Sequence, residues 1–285
     1  MLFSLISAVA WSLFDLARKH LTASVPPLVL SLWLAGCVAP VYFIAWLVYG
    51  AHWPQAGYWL PGSVSLVVAA IASFSFIKSL ASGSIARLIP VLSLTPVFAS
   101  LFSWFLLDEI INASQAFAIV IIVVSIFLLQ GGWKLLRDPA HAGPGFGLML
   151  LVSVCWGVGA VFDKWALQSA PLSFHGIYQS GGTAVLTYIA YLVLEVRPHK
   201  VSLFPRFTAP LHLLLMAVAV FAVAVSCQWG AITHIHPGIV ETIKRGIGIL
   251  GAALWGVWLF KESISRWQLA LMAVIVAATA WLTLA

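Results

Sequence analysis

The sequence predicts an all-α membrane protein with ten transmembrane helices in two inverted five-helix repeats. Hydrophobic residues make up 62% of the 285-residue chain, and charged residues make up 8%. The apolar residues form ten runs of about 20 residues, the length that a helix needs to cross a hydrocarbon core about 30 Å thick. The predicted spans are residues 2–21, 27–49, 59–81, 84–107, 111–133, 145–168, 172–194, 210–232, 236–260 and 264–284.

Turn-forming residues separate these runs. Proline marks the junctions at Val25-Pro26-Pro27, His52-Trp53-Pro54, Asp138-Pro139, Ala170-Pro171 and Arg197-Pro198. The longest gaps, near 134–145 and 195–210, are predicted loops that leave no room for a soluble domain. Residues 1–21 lack a basic n-region and a small-residue cleavage pattern, so the first span is expected to stay in the protein.

The two halves of the chain resemble each other. Trp11, Lys19 and Pro26 match Trp156, Lys164 and Pro171 at a constant offset of 145 residues, and Glu109 matches Glu262 at an offset of 153. Five spans per repeat is an odd number, so the two copies must cross the membrane in opposite senses. The sequence therefore predicts inverted repeats at 1–133 and 145–285, with a site near the midplane between them.

Two segments carry a family resemblance. Residues 84–109 and 239–262 each form a predicted helix that ends in an acidic residue, and with the matched start of each half they resemble the drug/metabolite transporter superfamily, specifically its EamA-like branch. The resemblance covers essentially the whole chain. It implies ten helices, alternating access, small metabolites as cargo, and a central cavity lined by helices one, three, four, six, eight and nine.

Loop charges and the family resemblance predict opposite orientations. The loops after odd-numbered spans carry seven of the 14 Lys and Arg residues, and the loops after even-numbered spans carry almost none; the seven are Lys134, Arg137, Arg197, Lys200, Arg206, Lys261 and Arg266. Because Lys and Arg in short loops favour the cytoplasm, these loops are expected inside and the two termini outside. Members of the family usually have both termini in the cytoplasm, so both orientations stay open at this stage.

The most informative polar residues are Glu241, Lys244 and Arg245 in the ninth span. Lys244 lies about 12 Å along the helix from His236, well inside the hydrocarbon. Two cations and one acid leave one positive charge uncompensated, which predicts an anion site. Phosphate-exchanging members of the superfamily resemble this chain in carrying adjacent Lys and Arg on the corresponding helix. In the alternative interpretation, Glu241 pairs with Arg245 while Lys244 extends to the membrane interface.

Two further acids lie inside predicted spans. Asp15 is spaced to pair with Arg18 or Lys19, and Asp163 precedes Lys164. Buried carboxylates of this kind either neutralise a helix end or accept the protons that drive transport. We assign Asp15, Asp163 and Glu241 as candidate coupling residues and add Lys164 to the predicted cargo-binding set. The acids at the ends of the repeats, Glu109 and Glu262, are expected to bond the N-terminal amides of the following span.

Tryptophan, proline and glycine add three expectations. Trp11, Trp156 and Gln228 lie away from the helix ends, where they either pack or contact cargo. Pro90 and Pro96 are expected to break backbone hydrogen bonds in the fourth span. The glycines of the ninth span permit close packing, and these two pseudo-equivalent helices are the expected gate.

Composition and motifs argue against several classes of function. The three cysteines are widely spaced, which argues against a metal site built from them. The sequence contains no metal-ligand cluster, cofactor motif, HExxH or GxSxG sequence, so we expect no cofactor and no enzymatic activity. The net charge of +6 is scattered over loops and helix ends, which argues against nucleic acid as a partner.

The leading prediction is a multi-pass transporter of the inner cell membrane, monomeric or homodimeric, that moves a small anionic metabolite, with protons as the candidate coupling ion. The alternatives are an exporter of amino acids or of neutral or cationic compounds, a flippase for phosphorylated lipid carriers, and a non-transporting accessory subunit.

Overall fold

The described part of the chain is helical throughout. The computed structural model describes residues 2–107, 112–129, 133, 143–199, 201–234 and 237–284. We number the long helices α1 (Leu2–Leu21), α2 (Pro27–Val48), α3 (Trp59–Ser82), α4a (Ile85–Leu88), α4b (Leu94–Leu107), α5 (Ala113–Leu129), α6 (Phe146–Leu167), α7 (Leu172–Tyr191), α8 (Leu211–Ile232), α9 (Pro237–Trp258) and α10 (Arg266–Leu284). A 3-10 turn (Ala56–Tyr58) precedes α3, and a π turn (Leu192–Val196) extends α7. The predicted all-helical fold is confirmed over these residues.

Proline begins several of the helices. Pro27 is the first residue of α2 and Pro171 is the N-cap of α7, both within predicted junction motifs; Pro210, which lay outside those motifs, is the N-cap of α8. Proline suits these positions because the first amides of a helix have no partner inside the helix. The fixed proline torsion thus sets where these three helices begin.

Six helices among the described residues are long and apolar enough to cross a membrane. They are Pro27–Val48, Ala56–Ser82, Ile89–Leu106, Phe146–Leu167, Leu172–His199 and Leu211–Ile232. Large apolar side chains such as Ile44, Leu60 and Leu250 are more than 60% exposed, as expected where lipid is the solvent. Helices α1 and α9 are outside this set because each carries three charged residues. The count of ten crossings stays a prediction.

Helix packing repeats between the two halves. The contact of α3 with α6 has its counterpart in α8 with α1, and the contact of α4b with α6 has its counterpart in α9 with α1. The remaining large contacts join α2 to α7 and α5 to α10. Each pair maps onto another pair, or onto itself, when the two halves are exchanged. A pseudo-twofold relation between the repeats has this property.

Glycine marks the same crossing in both halves. A Cβ at Gly157 of α6 would lie 2.7 Å from the Cβ of Phe98 in α4b, and a Cβ at Gly251 of α9 would overlap Oγ of Ser12 in α1. Gly157 and Ser12 are 145 residues apart, and Gly251 and Phe98 are 153 apart, the two offsets of the sequence repeat. The backbones approach closely at both crossings because one partner has no side chain.

We predict that Gly251→Ala separates α1 from α9 and destabilises the protein by about 1–3 kcal/mol, the usual cost of overpacking. Gly246→Ala is the matched control, since its added Cβ would lie 3.7 Å from Val276, an ordinary contact distance. Thermal unfolding of the two purified variants in detergent measures the difference. Equal midpoints for the two variants would contradict the close crossing.

Proline interrupts the fourth predicted span once. Residues Ile89–Ser93 form a 3-10 segment between α4a and α4b, and Pro90 lies at its start. Oγ of Ser153 in α6 donates a hydrogen bond of 3.1 Å to the carbonyl of Val91, so a neighbouring helix satisfies backbone in the irregular segment. Pro96 causes no second break, because it lies in the first turn of α4b where a missing amide costs no helical bond.

Candidate functional site

A cavity of about 150 Å³ lies between the two repeats. It is lined by residues of α1, α2, α3, the 3-10 segment of the fourth span, α6, α7, α8 and α9. The resemblance implied six of these helices; the structure adds α2 and α7, which contribute Tyr42 and Gln179. Most of the wall is apolar, but six charged residues also line it: Asp15, Arg18, Asp163, Glu241, Lys244 and Arg245.

The charged residues of α9 form a bonded group beside the cavity. Glu241 is 1% exposed and accepts a hydrogen bond of 2.9 Å from Nη2 of Arg245 and another from Nζ of Lys244. Nζ of Lys244 also donates to Oε1 of Gln228 at 2.9 Å, and Nε2 of Gln228 donates to Glu241. Lys244 is buried, so the alternative in which it reaches the membrane interface does not describe this arrangement.

Helix α1 adds a second ion pair to the same wall. Arg18 pairs with Asp15, as the spacing allowed, and its guanidinium lies 3.8 Å from the ring centroid of Phe76. We call Asp15, Arg18, Glu241, Lys244 and Arg245 the charged cluster. It holds three bases and two acids, so its formal charge is +1.

Three buried donors in this region have no hydrogen-bond partner among the described residues. They are Nε of Arg18, Nε of Arg245 and Nε1 of Trp11, and all three residues line the cavity. A buried donor without a partner costs about 1–3 kcal/mol, and more when it is charged. The cavity wall is therefore suited to a ligand that accepts hydrogen bonds and carries negative charge.

The two candidate tryptophans contact the cations of the cluster. Nζ of Lys244 lies 5.2 Å from the ring centroid of Trp11, and Cζ of Arg245 lies 5.0 Å from that of Trp156. The two indole rings also contact each other, with centroids 6.1 Å apart. Both tryptophans line the cavity, as the sequence suggested. Each ring already makes a cation–π contact with a basic side chain of the protein itself.

A separate polar network surrounds Asp163. Its Oδ1 accepts hydrogen bonds from Ser65 and from Nε2 of His175 at 3.1 Å, and its Oδ2 accepts one from Nε1 of Trp229 at 3.1 Å. Nδ1 of His175 is bonded at 3.0 Å to the hydroxyl of Tyr58. Ser65, His175 and Tyr58 were not among the residues predicted from the sequence. The available signal was His175 itself, a histidine inside an apolar run four residues after Pro171.

Lys164 does not join these groups. It is half-buried and is not among the residues that line the cavity. Its counterpart in the sequence repeat, Lys19, donates hydrogen bonds of 2.7 and 2.6 Å to the carbonyls of Leu80 and Gly83 at the end of α3. The geometry gives no support to the cargo-binding role predicted for Lys164. Successive residues on a helix point about 100° apart, so Lys164 does not point in the same direction as the residue before it, which lines the cavity.

Glu262 connects the loop after α9 to the fourth span. Its Oε2 accepts a hydrogen bond of 2.7 Å from Ser84, and its Oε1 accepts one of 3.0 Å from the amide of Ile85, at the start of α4a. The expected partner, the N-terminus of the following helix, is therefore wrong for Glu262; Glu109 lies outside the described residues. We call Lys19, Gly83, Ser84, Ile85 and Glu262 the end clamp, because they join three helices and a loop at one end of the molecule.

We predict that Glu262→Ala weakens the end clamp and lets reagents into the cavity more readily from that end. The measurement is the rate at which a thiol reagent labels Ser73→Cys, a cavity position, in protein whose three native cysteines are replaced by alanine. Glu195→Ala, at the same end of the molecule but outside the clamp, is the control. An unchanged labelling rate in Glu262→Ala would show that the clamp does not close this end.

Comparisons with known proteins agree with this architecture. The model of the EamA-like transporter family matches residues 1–130 and 143–284. One solved chain, described only as "Crystal structure of protein", is similar with a TM-score of 0.71 over 99% of this chain and 96% of that chain. The two sequences are 19% identical, so this likeness concerns the fold alone. No curated protein matches this chain.

Proposed function

We propose that this chain, which belongs to the EamA-like transporter family, carries a small polar anion across the membrane by alternating access. Because the family model matches both repeats, the chain is assigned as a membrane transporter of the drug/metabolite type. The anionic cargo is our inference from the cavity. We further propose that the protein lies in the inner cell membrane with ten crossings, including α1 and α9. Five of the six charged residues on these two helices line the cavity, and the sixth, Lys19, bonds backbone carbonyls at the end of α3.

The charged cluster is the observation that supports an anionic cargo. Its formal charge is +1, and the unpartnered donors of Arg18, Arg245 and Trp11 lie around the same cavity. A carboxylate or phosphate would accept hydrogen bonds from these donors and would compensate the excess charge. Lys244 and Arg245 are the proposed primary contacts, and Gln228 positions Lys244 through its bond of 2.9 Å.

The same geometry weighs against cationic cargo. An aromatic ring attracts a cation through its face, but Lys244 already lies against Trp11 and Arg245 against Trp156. A cationic ligand at this wall would be repelled by the positive charge of the cluster. Neutral compounds, amino acids and phosphorylated lipids remain alternative classes of cargo.

Alternating access requires that the two ends of the cavity open in turn. The interrupted fourth span and glycine-containing α9 are the proposed moving elements, because both depart from regular helix packing next to the cavity. The end clamp bonds the start of α4a to the loop after α9, so opening that end requires these bonds to break.

The test is a thermal-shift series of ligands that differ in charge but match in length. Succinate, aminobutanoate, succinamide and diaminobutane present an anion, a zwitterion, a neutral amide and a cation on the same four-carbon frame. We expect succinate, or inorganic phosphate as a second anion, to raise the unfolding temperature most. Preference for diaminobutane or succinamide would overturn the anion assignment. Uptake by liposomes that contain only this chain separates a transporter from an accessory subunit.

A further inference from the structure

The cavity contains a second charged site that the charged cluster does not include. Asp163 has a side chain 15% exposed, and His175, bonded to it at 3.1 Å, is fully buried. Tyr58, on the other ring nitrogen of His175, is fully buried as well. Within the described residues, no Lys or Arg forms an ion pair with Asp163. A carboxylate on the cavity wall thus has an enclosed imidazole as its one ionisable donor.

This arrangement satisfies His175 in both of its charge states. In the neutral ring, Nε2–H donates to Asp163 and Nδ1 accepts from the hydroxyl of Tyr58. In the protonated ring, both nitrogens donate, and the Tyr58 hydroxyl rotates to accept instead. A hydroxyl is the side-chain group that can reverse its role in this way without moving its oxygen. Both ring nitrogens of His175 therefore keep a hydrogen-bond partner in either charge state.

Among the described residues around His175, none supplies another compensating charge. Around His175, α2 contributes Tyr42, which packs on Gly176; the segment before α3 contributes Tyr58; α6 contributes Asp163. Helix α8 contributes the indole of Trp229, with its centroid 4.6 Å from that of His175, and α7 itself contributes Tyr178 beside Tyr58. The charge of this site is therefore set by Asp163 and His175 alone: −1 with a neutral imidazole and zero after one proton is added.

We propose that Asp163, His175 and Tyr58 form a proton-binding site that couples proton uptake to anion binding at the charged cluster. The three acids and three bases that line the cavity sum to zero. A monovalent anion brings this sum to −1, and one proton on His175 restores it. Because charge imbalance is costly in a water-poor cavity, each bound species favours the other. The coupling ratio is one proton per monovalent anion. This inference rests on the proposed anion transport, but the proton site can be tested without cargo.

The first experiment observes the imidazole directly. Histidine is labelled with ¹⁵N in the purified protein, and His175→Gln identifies the His175 signals by their loss. We expect these signals to change from the neutral to the charged pattern when the pH is lowered. In Asp163→Asn we expect that change to be lost. A wild-type His175 that keeps one pattern throughout, while the protein stays folded, would overturn the proposal.

The second experiment measures coupling. The ligand is butanesulfonate, which keeps one negative charge from about pH 8 to about pH 5; we expect its affinity to rise about tenfold over this range in the wild type and to be nearly constant in His175→Gln. His212→Gln, at the exposed start of α8, is the control and should behave as the wild type. Equal pH dependence in His175→Gln and the wild type would refute coupling. If no anion binds at any pH, the proposed function fails, while the ¹⁵N titration still decides the proton site.

Discussion

Replacing Lys244 and Arg245 together with glutamine is expected to weaken binding of a small anion by at least about a hundredfold. Each charge-assisted hydrogen bond in a buried site contributes about 1.5–3 kcal/mol, and a loss of about 3 kcal/mol corresponds to that factor. Both side chains are 6% exposed, so little water is available to replace them. The measurement is the affinity for succinate or phosphate by titration of the unfolding temperature, followed by uptake into liposomes.

Two further variants make this result interpretable. The double variant leaves Glu241 buried without its cations, so a triple variant that adds Glu241→Gln removes all three charges and keeps the site neutral. It should also fail to bind anions while folding more readily. Lys164→Gln removes the same kind of charge from a membrane helix, but outside the cavity lining, and should bind as the wild type. Normal uptake by the triple variant would show that the cargo does not use this pair.

Local sequence rules predicted the helices and the ion pairs within them. Apolar runs and prolines placed the helix bounds within a few residues for α1, α2, α3 and α6. The spacing of Asp15 and Arg18, and of Glu241 with Arg245, follows from the 3.6-residue turn of a helix. The internal match of the two halves predicted the repeats that the family model covers. The helix bounds and the ion pairs depend on residues that are close together in the chain, and the repeats depend on a match between two stretches of sequence.

Contacts between distant segments could not be predicted in the same way. His175 bonds Asp163 across the turn between α6 and α7, and Tyr58 bonds His175 from another part of the chain. Glu262 was expected to cap the next helix, but it bonds the start of α4a, 177 residues away for Ile85. The helical periodicity of one segment does not specify which face of a distant helix lies opposite it. These pairings become visible only when the helices are packed.

Replacing Glu241 alone with glutamine is expected to destabilise the protein strongly. The substitution leaves Lys244 and Arg245, both buried, without their shared carboxylate, which accepts from each of them. Removal of one partner from a buried ion pair costs about 3–5 kcal/mol, because the remaining charge is neither solvated nor compensated. The unfolding temperature in detergent should therefore fall well below that of the wild type. Glu195→Gln, which removes an acid that is only partly buried, should leave it nearly unchanged.

The same variant provides a test of the anion site that a purely structural role of Glu241 would not pass. If Lys244 and Arg245 face a cavity that admits anions, a bound anion can replace the lost carboxylate charge. Succinate or phosphate should then raise the unfolding temperature of Glu241→Gln more than that of the wild type, since a ligand that binds the folded state stabilises it. Succinamide, which has the same length without charge, should not. Equal shifts with succinate and succinamide would mean that the two cations stabilise the helix packing and take no part in cargo binding.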